Sequence, residues 1–181
     1  MPLPSSAAPH QIETGLSLLE LLITLALAAL VLGAGVPGLR HLVLESRMTA
    51  AVNDLVRDLH FARQTANTRA VPVVICPTNE VGGCRADGAW QDGWQVLAQP
   101  TDSPPRAEPT QVLRRQTGLP TLTIRSNRLA FTFRPFTLRD TNGTISFCDE
   151  RGTAASRALV ISPSGRPRLA SRQETRQRVS C

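Results

Sequence analysis

The most constraining feature of this sequence is an apolar segment close to its N-terminus. Residues 16–39 contain a single charged side chain, Glu20, and are otherwise mostly hydrophobic. Between Leu16 and Val36, a helix rising about 1.5 Å per residue would extend roughly 31 Å, which is the thickness of a bilayer core. A cleaved secretory signal has a shorter apolar region preceded by Lys or Arg, and neither is found here. We therefore expect a membrane-spanning helix over residues 16–39.

Glu20 argues against a plain membrane anchor, which is the alternative interpretation. A carboxylate in an apolar span costs about 3 kcal/mol on insertion scales and is normally kept only where it has a partner. The residues from Gly15 to Leu22 resemble the processing site of type IV prepilins. The resemblance implies that a prepilin peptidase cleaves between Gly15 and Leu16 and methylates the new amine of Leu16. Residues 1–15 would then be a leader, and Glu20 would pair with the N-terminal amine of a neighbouring subunit during assembly.

Residues 40–70 have the pattern of an amphipathic helix. Apolar residues recur there at steps of three and four, and most charged residues lie off that stripe. We expect this helix to continue the membrane helix and to pack its stripe on a sheet, with a coiled-coil or partner-binding face as the alternative. The stripe consists of Leu44, Met48, Ala51, Val52, Leu55, Leu59, Ala62 and Ala66.

Residues 71–181 change to short runs rich in Val, Ile, Phe and Thr, separated by Gly, Pro and Asn. This pattern is typical of strands joined by turns and predicts a β-domain, so the fold class is α+β. The proline-rich stretch 99–109 is predicted to be an exposed loop. The predicted strands are 71–76, 94–98, 111–116, 121–125, 129–134, 143–148 and 157–162.

Four cysteines all follow the apolar segment, as expected for two disulfides in an oxidising compartment. Of the three possible pairings we favour Cys76–Cys84, which would close one hairpin loop, and Cys148–Cys181. A zinc site is the alternative, but there is no Cys-x-x-Cys pair, and the histidines are far from the cysteines in sequence. We expect neither a metal nor a cofactor.

The positive charge of the chain is concentrated at its C-terminal end. Residues 1–150 contain 13 Arg against 13 Asp and Glu, whereas the last 31 residues contain seven Arg against Glu174 alone. A like-charged tract of this kind either binds an acidic partner, such as nucleic acid, or stays solvated. Charge alone leaves both interpretations open.

Several motifs of the β-domain together resemble the FimT and pseudopilin H (GspH) group of minor pilins. The resemblance implies the type IV pilin fold, in which a long N-terminal helix packs on an antiparallel β-sheet domain. It also implies a single-pass inner-membrane protein that has its C-terminal domain in the periplasm and joins an extracellular pilus. The motifs are Cys76-Pro77, Trp90-x-x-Gly93-Trp94, Phe147-Cys148-Asp149-x-Arg151-Gly152 and Ser162-Pro163-Ser164-Gly165-Arg166-Pro167-Arg168.

In FimT proteins linked to natural transformation, a Gly-Arg-x-Arg element binds DNA, and here that element is Gly165-Arg166-Pro167-Arg168. If the backbone is extended after a turn at Gly165, both guanidiniums lie on one face about 7 Å apart, near the phosphate spacing of one strand. Arginine suits phosphate because its planar fork donates bidentate hydrogen bonds. The predicted basic track continues through Arg172, Arg176 and Arg178.

The resulting hypothesis is a minor type IV pilin that binds DNA without sequence preference for uptake in natural transformation, together with other major and minor pilin subunits. With about five phosphates neutralised, the log-log salt slope on duplex DNA would be roughly −4.5. The alternative is a structural pseudopilin of a type II secretion system, or a minor pilin that primes pilus assembly, whose basic tail contacts acidic subunits. An enzyme is not expected, because the sequence has no nucleophile elbow, P-loop or metal-spaced histidines.

Two further interpretations concern residues in the middle of the β-domain. Trp90 and Trp94 could stack on bases, but core packing is the alternative we favour. Asp87 and Asp92 could bind calcium in a glycine-containing loop, although few oxygen ligands are evident.

Overall fold

A computed structural model of the chain describes residues 15, 17–78, 83–99, 111–137, 139–171, 174–175 and 181. The chain divides into two compact units, Met1–Val43 and Leu44–Cys181. One helix, α1 (Leu18–Arg69), has residues in both units, and strands and short 3-10 turns follow it; Glu174 and Thr175 are again helical.

The part of α1 that belongs to the first unit ends at Val43, and from Leu18 to Leu39 it is apolar around its circumference apart from Glu20. Its large hydrophobic side chains are exposed within the unit. By length and composition α1 could cross a membrane: its most apolar window has a mean hydropathy of 2.3, and none of that window is buried. A helix with apolar side chains on every face suits lipid, because its backbone groups are hydrogen-bonded within the helix.

The part of α1 in the second unit is amphipathic, as predicted. Seven of the eight stripe residues, from Met48 to Ala66, are buried, and Leu44 is half-buried. These side chains form one hydrophobic core with residues of both sheets, including Ile75, Trp94 and Phe147. The stripe is therefore the face that the helix packs on the β-domain, which favours core packing over a coiled coil.

Among the described residues of the second unit, eight strands form two four-stranded antiparallel sheets. The first sheet has the order β3-β2-β1-β5, and the second has the order β4-β6-β7-β8. Both sheets contribute alternate side chains to the common core. The strands are β1 (Val73–Pro77), β2 (Gly93–Ala98), β3 (Gln111–Thr117), β4 (Thr123–Ser126), β5 (Phe131–Phe133), β6 (Gly143–Cys148), β7 (Arg157–Ile161) and β8 (Pro167–Leu169).

Seven of these strands correspond to the predicted runs, with ends shifted by at most two residues. The strand that was not predicted is β8, which has only three residues and begins with a proline. Proline has no backbone N–H to donate, so it is confined to the edges of sheets, and β8 is an edge strand. Of the loop predicted at 99–109, only Gln99 lies among the described residues.

Two covalent cross-links close loops of the β-domain. Cys76 is bonded to Cys84, and Cys148 is bonded to the C-terminal residue Cys181, with Cα–Cα distances of 5.5 and 5.9 Å. These are the two pairs favoured from the sequence. The second bond fixes Cys181 to β6, which belongs to the same sheet as β8.

A buried carboxylate joins α1 to the first sheet. Asp58 accepts a hydrogen bond of 2.9 Å from the indole nitrogen of Trp94 and one of 3.2 Å from Arg114. The Arg114 guanidinium also lies over the ring of Phe61, 3.8 Å from its centroid. Because Asp58 is buried, these two donors replace the water that a carboxylate would otherwise hold.

A second ion-pair group joins α1 to the end of the second sheet. Glu45 accepts hydrogen bonds from Arg151, at 3.0 Å, and from Arg157. The bond from Arg151, assisted by Arg157, holds the pKa of Glu45 below its usual value despite partial desolvation. Arg151 is held in turn by Asp149, which accepts at 2.6 Å. The motif Asp149-x-Arg151 thus has a structural role.

Candidate nucleic-acid interface

The Gly-Arg-x-Arg element begins in a tight turn between β7 and β8. The Gly165 amide donates to the Ser162 carbonyl at 2.8 Å, and the Ser162 amide donates to the Arg166 carbonyl at 3.0 Å. The Ser162 hydroxyl accepts a hydrogen bond of 3.1 Å from the Arg166 amide. These bonds fix the backbone on both sides of Gly165, and therefore the direction in which Arg166 leaves the turn.

Glycine is required at position 165 for two separate reasons. Its φ is +71°, in the left-handed region that side chains rarely adopt. A Cβ atom at Gly165 would also lie 2.5 Å from the Asp140 carboxylate and 3.1 Å from the Phe133 ring. The turn is therefore closed by backbone packed directly against the neighbouring loop.

The turn is also held from outside by two other elements. The Asp140 amide donates to the Pro163 carbonyl at 2.8 Å. Arg63, near the end of α1, donates to the Ser164 carbonyl from its guanidinium. The turn is thus attached to the loop before β6 and to the helix, so that the whole β-domain supports it.

Arg166 and Arg168 are both exposed and stand on either side of Pro167, the first residue of β8. Arg168 pairs with Val160 across the sheet, whereas Leu169 pairs with the buried Leu159. Side chains two residues apart on an extended strand point the same way, so Arg166 and Arg168 share the face that is turned away from the core.

Arg168 has a partner that the sequence did not predict. Its guanidinium donates two parallel hydrogen bonds of 2.9 Å to the Glu174 carboxylate. This pairing raises the pKa of Arg168. The Arg168 side chain remains 55% exposed. Arg166 has no side-chain acceptor in the part of the chain that the structure describes.

The other predicted residues of this site fall outside the described ranges. Arg172, Arg176 and Arg178 belong to that group, as does Leu16 at the expected cleavage position. Gly15 and Glu20 are described, but the bond between Gly15 and Leu16 and the expected subunit pairing of Glu20 are matters of processing and assembly.

The stacking interpretation of Trp90 and Trp94 is wrong, and the calcium interpretation of Asp87 and Asp92 is weakened. Trp90 and Trp94 are fully buried, so neither ring is available to stack on a base. Asp87 and Asp92 both contact Arg85, at 2.5 and 2.7 Å. The hydrogen bond from Arg85 lowers the pKa of Asp87. Because this arginine already neutralises both carboxylates, they are poor ligands for calcium, and no metal-binding cluster occurs among the described residues.

Comparison with known proteins decides the family. The family model described as "Type II transport protein GspH" matches residues 51–165. The chain belongs to the GspH family. Members of this family are pilin-like structural subunits, so interaction with other pilin subunits is implied, and the apolar part of α1 fits a membrane-anchored component. No curated protein sequence matches the chain.

Two crystal structures of the type IV minor pilin FimU from Pseudomonas aeruginosa PAO1 are similar to this GspH-family chain. One, in space group P65, has a TM-score of 0.53 and 22% identity and covers 69% of this chain and 94% of FimU. The other, in space group P21, has a TM-score of 0.54 and 21% identity, with coverages of 71% and 91%. At these identities the likeness shows the fold, and the predicted type IV pilin fold is confirmed.

Proposed function

We propose that this GspH-family protein is a minor pilin that binds DNA without sequence preference and contributes to DNA uptake. The observation that supports this proposal best is the fixed turn at Gly165, which leads into two exposed arginines on one face of an edge strand. Phosphate contacts of this kind hold DNA without reading its bases. Retraction of a filament carrying such a surface would draw the bound DNA toward the cell.

The pairing of Arg168 with Glu174 determines the order of the proposed phosphate contacts. A carboxylate and a phosphate present similar pairs of oxygens to a guanidinium fork. The two equal bonds from Arg168 to Glu174 indicate that this fork is oriented for bidentate binding. Glu174 would therefore compete with a DNA phosphate for Arg168, and Arg166 would make the first phosphate contact.

The double substitution Arg166→Ala and Arg168→Ala should weaken duplex binding roughly 50-fold at about 0.1 M salt, because two phosphate contacts are lost. For the same reason, the slope of log affinity against log salt concentration should change from roughly −4.5 to roughly −2.7. The measurement is a mobility-shift titration of the full chain in neutral-detergent micelles at several salt concentrations.

Two variants serve as controls for that titration. Arg115→Ala removes an exposed arginine from the first sheet and should leave affinity almost unchanged. Glu174→Gln should tighten binding by about two- to fivefold, since an exposed ion pair is worth up to about 1 kcal/mol, and should have no effect once Arg168 is alanine. The proposal is rejected if the wild-type chain ignores DNA at low salt, or if the double variant binds as well as the wild type.

We further propose that a prepilin peptidase cleaves between Gly15 and Leu16 and methylates Leu16, and that Glu20 pairs with the amine of a neighbouring subunit. The supporting observation is a carboxylate in the first turn of an apolar helix, where lipid offers it no partner. Mass spectrometry of protein extracted from the membrane should find a methylated chain beginning at Leu16. A chain that retains residues 1–15 would contradict this.

A structural pseudopilin of a type II secretion system is the second candidate function. The description of the matching family model favours it, whereas the similarity to FimU favours a pilus. In a pseudopilin, the exposed arginines would contact acidic subunits in place of phosphate. The DNA titration separates the two candidates.

A further inference from the structure

Phe136 is an unusually exposed aromatic side chain. It is 81% exposed, whereas Leu129, the next most exposed large hydrophobic residue described in the second unit, is 56% exposed. Every other phenylalanine described in the β-domain, namely Phe131, Phe133 and Phe147, is fully buried. Leaving a phenyl ring in water forgoes the stabilisation that burial would give.

The backbone holds Phe136 in this exposed position at a further cost. Its φ is +55°, a left-handed conformation that costs a residue with a side chain roughly 1 to 2 kcal/mol. The Phe136 amide donates a hydrogen bond of 3.1 Å to the side-chain oxygen of Asn67, near the end of α1. Strained residues held by specific contacts are concentrated at functional sites.

Phe136 lies beside the turn that leads to Arg166. Asp140 lies at the far end of the Phe136 loop. Its carboxylate accepts a hydrogen bond of 3.1 Å from the Arg134 amide, and its backbone amide donates one of 2.8 Å to the Pro163 carbonyl of that turn. On α1, Asn67 holds the Phe136 loop, and Arg63 holds the turn.

Residues 63 and 67 are one helical turn apart, so their side chains are neighbours on the helix surface. The phenyl loop and the arginine turn are thus held by neighbouring positions on one face of α1, whose Cβ atoms are about 5 to 6 Å apart.

The charged residues around Phe136 indicate which kind of ligand its ring would bind. Arg134 and Arg139 are exposed on either side of it in the loop, and Arg166 follows the adjacent turn. Asp140 is the acidic residue of this loop, and it is half-buried and hydrogen-bonded to the backbone. An aromatic ring among cations is the arrangement that binds single-stranded nucleic acid, in which cations hold phosphates and the ring stacks on a base.

We propose that Phe136 stacks on an unpaired base, so that single-stranded DNA is a preferred ligand of the surface formed by Arg134, Phe136, Arg139 and Arg166. This inference rests on the proposed DNA-binding function and adds a ligand class to it. Duplex DNA presents phosphates to the arginines but has no free base face for the ring. The ring therefore discriminates between single and double strands, whereas the arginines do not.

The test compares binding of an oligothymidylate and of a duplex of equal length to the full chain in neutral-detergent micelles. Phe136→Ala should weaken oligothymidylate binding by about five- to tenfold, because a base–aromatic stack is lost, and change duplex binding by less than about twofold. Phe136→Trp should retain the preference. Phe136→Leu, which keeps an apolar side chain but has no aromatic face, should behave like the alanine variant.

Val112→Ala is the matched control, since Val112 is an exposed apolar residue on β3, at the opposite edge of the first sheet from β5. If Phe136→Ala binds oligothymidylate as the wild type does while Arg166→Ala is impaired on duplex, the stacking inference is wrong and the DNA-binding proposal stands. If Phe136→Leu matches the wild type, an apolar side chain suffices in place of an aromatic face and the stacking inference is equally wrong. If neither DNA binds the wild type, both proposals fail.

Discussion

Replacing Trp94 with phenylalanine should lower the free energy of unfolding by about 3 kcal/mol. The substitution removes part of a fully buried ring and also deprives the buried Asp58 carboxylate of its indole donor. Asp58 would keep only the longer bond from Arg114 among its described contacts. Urea unfolding of the full chain in detergent, followed by circular dichroism, measures the change.

Trp90→Phe is the matched control for Trp94→Phe. Trp90 is equally buried, but its indole nitrogen has no hydrogen-bond partner among the described residues. The same change of ring should therefore cost only about 1 kcal/mol, since no bond is broken. Equal losses for the two variants would show that ring volume, and not the bond to Asp58, determines the stability.

Gly165→Ala should disturb the proposed interface through its backbone and destabilise the domain by about 2 to 3 kcal/mol. The cost combines a left-handed φ of +71° with a Cβ placed 2.5 Å from the Asp140 carboxylate. Relief of that clash moves the turn, so DNA affinity should fall toward that of the double arginine variant. Unfolding and mobility-shift titrations on the same preparation measure both effects.

Gly152→Ala separates backbone strain from the clash. Gly152 has a φ of +73°, but nothing lies within 4 Å of a Cβ placed there. It should cost about 1 kcal/mol and leave DNA binding unchanged. If Gly165→Ala binds DNA normally, the turn does not set the direction of Arg166, and the proposed interface does not depend on the fixed turn.

Much of the fold followed from local sequence patterns. The apolar run and the stripe from Met48 to Ala66 predicted α1, because helical periodicity is visible over many residues. Most strands were found from alternation and turn residues. The strand β8 was missed, because three residues beginning with Pro167 give no periodic signal, and the strand is defined by pairing with β7.

The sequence predicted the arginines of the candidate site but not the residues that hold the turn in place. Arg166 and Arg168 were identified from a short motif, whereas Arg63 and Asp140 reach the turn from distant positions in the sequence. Glu174 was counted as a charge in a basic tail, and its pairing with Arg168 depends on how the tail folds back. No sequence signal marked Phe136, because exposure and a positive φ are properties of the folded chain.

The bond between Cys148 and Cys181 would have a mechanical consequence if bound DNA pulled on the proposed interface. Cys148 and Cys181 are 33 residues apart in sequence. Arg166 and Arg168 lie inside the covalent loop that the bond between these cysteines closes. Tension applied at those two arginines could peel β8 from its neighbour, but the closed loop would limit how far the strand extends. The disulfide would act as a tether that arrests unravelling before it reaches β6 and the core beneath it.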